Sequence, residues 1–255
     1  MAARYRLQLL GHPRIARLDH GQREKELRSP LRRAVEVLAY LASSPGLQAS
    51  KDELVEAVWG EKDQEAVRRN FHPTLSILRR VLRGGRASRP LAVVQAAGVY
   101  RLDRECHWEI DLLAFETHGR AGDEHLIAGE APAAIDEWSS AWQLYRGPFL
   151  QDFYEPWVSE RRERYHELYL DLLRKLGDVA AGTGHPQRAM DAYRTLLREE
   201  PLDEAVHLAL MRIYAGAGRR DLVRRQYARL CALLQEELGV EPLGETVAAY
   251  YQLMA

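Results

Sequence analysis

The chain has 255 residues, 46% apolar and 29% charged, with a formal net charge of −1, a composition that fits a folded, soluble globular protein and excludes a disordered one. No apolar run approaches the ~20 residues of a membrane span, and Arg4 and Arg6 interrupt the N-terminal apolar stretch, so a strand is expected there and not a signal peptide. Residues 1–105 hold 20 Lys and Arg against 12 Asp and Glu, a surplus of eight, whereas residues 106–255 hold 16 against 25, a deficit of nine; this split suggests two domains, only the first suited to a polyanion.

Tyr5–Leu10, Arg14–Leu18 and Glu24–Leu27 read as a small antiparallel sheet, with His20-Gly21 as a turn. Ser29-Pro30 predicts a helix start, Ser as N-cap and Pro at the first helical position. That helix is expected to run to about Ser43, bury Leu31, Val35, Leu38 and Leu41, and stop before Pro45-Gly46. Ser50-Lys51-Asp52-Glu53 is a capping box for a second helix over Lys51–Trp59, with Leu54, Val55 and Val58 apolar.

A third helix is expected over Glu65–Leu82. At 3.6 residues per turn Val67, Phe71, Leu75, Leu78 and Leu82 form one stripe, a core-facing side. Arg69, Ser76, Arg80 and Arg83 lie opposite, flanked by His72 and Arg79, with Arg68 in the same basic stretch. A helix apolar on one side and cationic on the other can rest on a core and still enter the groove of DNA. After a Gly84-Gly85 break, strands Leu91–Gln95 and Val99–Leu102 form a hairpin. Sheet, three helices and hairpin within about 105 residues describe an α+β winged helix-turn-helix.

From Ile110 onward the pattern is helical and repeats. Leu176, Gly184, Ala189 and Tyr193 recur 34 residues later as Leu210, Gly218, Val223 and Tyr227, the period of a tetratricopeptide. A weaker copy at Gly129, Ala134 and Trp138 is offset by 55, implying an insertion around Gly147-Pro148-Phe149 and a long helix Glu155–Ala181. The expected fold is thus a winged helix-turn-helix followed by an all-α, tetratricopeptide-like repeat domain.

Several spaced stretches carry a resemblance: Leu10-Gly11, Ser50–Trp59, Arg69-Asn70 with Leu75–Leu82, and Gly98–Leu102. It continues through Leu144–Leu150, Trp157–Arg161 and Glu236–Pro242. In their order these resemble the SARP-type regulators, antibiotic regulatory proteins of streptomycetes, across nearly the whole chain. The resemblance implies an OmpR-like DNA-binding domain over 1–105 and a bacterial transcriptional activation domain over 106–255. It also implies sequence-specific binding to double-stranded promoter DNA as a homodimer, and contact with RNA polymerase holoenzyme. Two positions depart from the family. Pro73, inside the recognition helix, removes a backbone donor and is expected to kink or restart it. Ala96-Ala97 occupy a wing tip where such wings often carry an arginine, leaving Arg86, Arg89 and Arg101 as substitutes.

The candidate DNA contacts are therefore Arg68, Arg69, His72, Ser76, Arg79, Arg80, Arg83, Arg86 and Arg101. Arg69, Ser76 and Arg80 are expected to face bases, and Arg79 and Arg83 phosphates. Trp59 reads as a core plug, with the adjoining loop Gly60–Gln64 a lesser candidate for polymerase contact. Gly182-Thr183-Gly184-His185 and Gly216-Ala217-Gly218-Arg219 follow no strand and precede no Lys-Ser/Thr, so they read as turns between helices and not phosphate cradles. Trp138, Trp142 and Trp157 read as core. Cys106 and Cys231 lack CxxC spacing and the nine histidines lack HExxH spacing, so no metal and no cofactor is expected. No catalytic constellation appears; a non-enzyme in the reducing cytoplasm is expected. The rival reading is a tetratricopeptide-like scaffold or ligand sensor that its basic half merely docks to nucleic acid; no residue pattern indicates a small-molecule effector.

Overall fold

The computed structural model describes residues 3–18, 24–60, 64–84 and 91–255, the side chains at 64, 66 and 68 excepted. The expected turn at His20-Gly21, Gly85, Arg86, Arg89 and most of the loop Gly60–Gln64 lie outside the described residues. Internal packing divides the chain into two compact units: 1–116 with 144–166, and 117–143 with 167–255. No helix among the described residues is long and apolar enough to cross a membrane.

The first unit carries, in chain order, β1 (Arg4–Gln8), β2 (Arg14–Leu18), β3 (Glu24–Glu26), α1 (Arg32–Ala42), β4 (Gln48–Ser50), α2 (Lys51–Trp59), α3 (Gln64–Arg83), β5 (Val93–Ala96), β6 (Val99–Leu102) and β7 (His107–Ile110). One sheet has the order β3-β2-β1-β7 and the other β4-β6-β5. Tyr5 and Leu7 alternate inward on β1, which pairs antiparallel with β2 and parallel with β7, Leu7 opposite Ile110. Strands β4 and β7 have no counterpart among the elements expected from the sequence. Arg6 clamps β7 through an ion pair to Glu109 at 2.7 Å. Asp111, the first residue of α4 (Asp111–Ile127), accepts the backbone N–H of Leu9, Leu10 and Leu112 at 2.8–3.0 Å. Those donors would otherwise be buried without partners. Burial still outweighs them and pushes the Asp111 carboxyl up to about 6.

Helix α1 starts later than expected. Ser29 Oγ is engaged with both the N–H and the C=O of Leu31, and Leu31 is the N-cap without a side-chain cap. The buried stripe shifts accordingly to Ala34, Val37, Leu38 and Leu41, leaving Leu31 and Val35 half-buried. Helix α2 follows its expected bounds. Its capping box is closed on both sides: Ser50 Oγ accepts from the Glu53 N–H at 3.2 Å, and the Glu53 carboxylate from the Ser50 N–H at 2.7 Å.

Residues 144–166, expected as an insertion between repeat copies in the second domain, complete this unit. Leu10 bridges Phe149, and Gly11 N–H donates to Pro148 O at 3.0 Å. The approach is close: a Cβ on Gly147 would lie 3.3 Å from the Gly11 Cα. Arg162 donates to the carbonyls of Phe149, Leu150 and Phe153, and Arg161 to that of Tyr40, with its guanidinium 4.4 Å above the Tyr40 ring. The stretches Leu144–Leu150 and Trp157–Arg161 thus act as a clasp on the strand end and α1.

The second unit is helical, built from parts of α4 and α6 (Pro156–Gly182) with α5 (Ala131–Leu144), α7 (Pro186–Glu199), α8 (Glu204–Gly216), α9 (Arg220–Glu237) and α10 (Gly244–Met254). Gly129, Gly184 and Gly218 turn between paired helices at φ of +71° to +79°, a conformation glycine adopts without steric cost. The first two pairs are each closed by an aromatic ring on a glycine sixteen positions earlier. A Cβ on Gly122 would lie 2.4 Å from the Trp138 ring, and one on Gly177 2.4 Å from the Tyr193 ring. In the third copy Met211, buried, stands at that position; Tyr227 is instead half-exposed and stacks on Tyr250 at 3.9 Å.

Candidate nucleic-acid interface

Helix α3 forms because its apolar residues recur on one side, and all five expected core residues, Val67, Phe71, Leu75, Leu78 and Leu82, are buried. Phe71 is the anchor. Its ring lies 5.6 Å from Trp59 and 5.4 Å from Tyr100 of β6, with the Lys51 ammonium 5.6 Å from its centre. Trp59 is the core plug expected. At the far end Tyr5 donates its hydroxyl to Leu82 O at 3.2 Å, fixing α3 to β1. The helix is one element through Pro73, neither ended nor restarted there. Pro73 is exposed, and the missing donor falls on the solvent side. Thr74 next to it is buried and donates to Asn70 O at 2.7 Å.

Arg69, His72, Ser76 and Arg80 are exposed, and their spacing puts them on the side opposite the core. Arg69 and Arg80 make no ion pair with any described residue. The His72 ring edge rests on Phe71 at 5.4 Å. Arg83 is half-buried at the end of the helix. Arg79 has another attachment: its Nε donates to Val93 O at 2.9 Å, bracing β5 against α3. Arg68 lies in α3 with its side chain outside the described residues, and Arg86 is outside them altogether.

The hairpin turns tightly. Ala96 pairs with Val99, and Ala97 and Gly98 both have positive φ, +49° and +80°, the sign pattern of a type I′ turn. Lys51 N–H donates to Gly98 O at 3.2 Å, tying the start of α2 to this turn, a link with no sequence signature. Arg101 is half-buried on β6 between Gln48 and Val94. Its place is within the sheet, away from the hairpin tip. The exposed side of α2 carries Asp52, Glu53 and Glu56 beside Lys51. No group of three or more His, Cys, Asp or Glu among the described residues has metal-binding geometry.

Residues 110–254 match the family model described as bacterial transcriptional activator domain. The chain is 31% identical over 232 residues to the transcriptional regulatory protein MoaR1 of Mycobacterium tuberculosis, covering 89% of this chain and 73% of MoaR1. It is 29% identical over 214 residues to the regulatory protein AfsR of Streptomyces coelicolor, covering 84% of this chain but only 21% of AfsR. A solved structure of Mycobacterium tuberculosis EmbR in complex with a low-affinity phosphopeptide has a TM-score of 0.76 over 99% of this chain and 65% of that one, at 22% identity. That likeness is one of fold.

Proposed function

This chain belongs to the bacterial transcriptional activator domain family, as a SARP-type regulator, and we propose that it is a sequence-specific DNA-binding transcriptional activator. Its N-terminal part, residues 1–105, acts as a winged helix-turn-helix: α2 and α3 are the helix-turn-helix and β5–β6 the wing. Residues 106–255 act as the activation domain. Helix α3 enters the major groove, with Arg69, Ser76 and Arg80 toward base edges and His72 and Arg83 toward the flanking backbone, and Arg68 of the same helix is a further candidate contact. Arg79 positions the wing through Val93, and Arg86 and Arg101 are further candidate contacts. The single observation that carries this reading is α3 itself. It is apolar and anchored on one side, while the other side exposes two arginines without carboxylate partners among the described residues.

MoaR1 is named as a transcriptional regulatory protein and the matching family model as a bacterial transcriptional activator domain, which supports activation as the output. On this reading the protein works in the cytoplasm as a homodimer on double-stranded promoter DNA, its acidic part contacting RNA polymerase holoenzyme, and it requires no cofactor or catalytic group. Selection of bound fragments from genomic DNA, followed by sequencing, tests it. The wild-type chain is expected to enrich a recurring sequence that the Arg69→Ala/Arg80→Ala variant does not. Enrichment of no recurring sequence, or the same enrichment by both, contradicts the reading.

A further inference from the structure

The second unit contains a groove of about 800 Å³ between α5, α7, α8 and α9. Trp142 and Tyr214 form its apolar wall, so Trp142, expected as core, is half-buried at a surface instead. Arg194, Arg198 and Arg229 line it against a single carboxylate, Asp191. That sign runs against the surroundings, since residues 106–255 carry nine more acids than bases.

Elsewhere in this unit Arg174, Lys175, Arg188 and Arg219 each meet a carboxylate at 2.5–2.8 Å. The groove arginines do not. Arg194 donates to the Tyr214 hydroxyl at 3.2 Å and stands 3.9 Å from Asp191. Among the described residues Arg198 donates only to the Thr195 hydroxyl, at 2.7 Å. Arg229 has no ion pair with any described residue. The floor is fixed in addition. The Gln226 amide donates to Nδ1 of buried His207 at 2.8 Å, and the other ring nitrogen donates to Pro201 O at 3.0 Å. Burial lowers the His207 pKa, which favours the neutral ring that this arrangement uses.

We propose that this groove docks an acidic peptide segment of a protein partner. Its carboxylates pair with Arg198 and Arg229, and an apolar side chain lies against Trp142 and Tyr214. A guanidinium holds a carboxylate through two parallel hydrogen bonds, and here two are arrayed beside aromatic surface. The volume suits a few side chains. A nucleic-acid strand would have to continue from the groove onto an acidic domain, which repels it. The proposal is independent of the role given to α3.

Panning a phage-displayed random dodecapeptide library against the full chain tests it. The enriched peptides are expected to be rich in Asp and Glu with an apolar residue. A synthetic copy should bind at least about tenfold more weakly to the Arg198→Glu/Arg229→Glu variant. Panned itself, that variant should enrich Lys- and Arg-rich peptides, an outcome that requires a folded groove. If the variant does not fold, Arg198→Gln/Arg229→Gln replaces it and is expected to lose the same peptide. No enrichment, enrichment without acidic bias, or undiminished binding by the variant overturns the proposal. Tighter binding of a single-stranded oligonucleotide than of the peptide, lost in the variant, overturns the choice of occupant.

Discussion

Replacing Gly177 by alanine sets two effects against each other. In the interior of a helix Gly→Ala ordinarily stabilises by about 0.5–1 kcal/mol, because the unfolded chain loses freedom. Here the new Cβ would stand 2.4, 2.7 and 2.8 Å from Cε1, Cδ1 and Cζ of Tyr193. That ring is buried, and its hydroxyl donates to Asp178 at 2.6 Å, so it cannot swing aside without giving up a hydrogen bond of about 1 kcal/mol. Overpacking of a close-packed core costs about 1–3 kcal/mol. The net expectation is a loss of about 1–3 kcal/mol, at about 2–4 °C of melting temperature per kcal/mol for a chain of this size. Gly182→Ala, later in the same helix, meets nothing within 4 Å and is expected to leave the melting temperature unchanged or raise it. Thermal and urea unfolding followed by circular dichroism compares the two. Equal or greater stability of Gly177→Ala, or equal destabilisation by both, refutes the ring-on-glycine account of the repeats.

Pro73→Ala restores the donor that α3 lacks and removes the ring's clash with the preceding turn; a gain of up to about 3 kcal/mol is expected in urea unfolding, and a loss contradicts it. Ser50→Ala opens the capping box and is expected to cost about 1 kcal/mol by the same measurement. Asp111→Ala leaves the N–H groups of Leu9 and Leu10 without their acceptor, and a loss of about 2–4 kcal/mol is expected below pH 4. The pH dependence has a definite sign. A folded pKa raised from 3.8 to about 6 means the folded state holds the extra proton, so this contribution is fully present below about pH 4 and declines as pH rises through about 6. The gap between wild type and Asp111→Ala is therefore expected to shrink by up to about 3 kcal/mol from pH 4 to 7; a gap that widens with pH contradicts it.

The third helix is legible in the sequence because its five core residues obey one period and nothing in the fold competes with it. The capping box is legible for a similar reason, since Ser50 and Glu53 satisfy one another locally. What is not legible depends on distant partners. Strands β4 and β7 have three and four residues, too few to establish a period, and they exist because β6 and β1 pair with them. Ser29 carries a cap signature but spends its hydroxyl on Leu31. Residues 144–166 read as an insertion between repeat copies leading into a long helix, yet what they hold is not legible: Arg161 and Arg162 bind carbonyls 9–121 positions earlier, a link without periodicity. Of the candidate DNA contacts, the exposed side of α3 is readable from phase, whereas the tie from Arg79 to Val93 is not. The 34-residue period reveals the repeats but not why Gly122 and Gly177 are glycine, because the rings that exclude a side chain there are sixteen residues away.

The salt dependence of DNA binding tests the role of α3 most directly. Fluorescence anisotropy on a fragment recovered from genomic DNA, titrated at several salt concentrations, compares wild type with Arg69→Ala/Arg80→Ala. Binding is expected to weaken about 10–100-fold in the variant, with unchanged circular dichroism. The slope of log K against log salt should become shallower by about 0.9 for each phosphate that the variant leaves unneutralised. Superimposable titrations with the same slope would mean that DNA, if bound, is bound elsewhere than on the exposed side of α3.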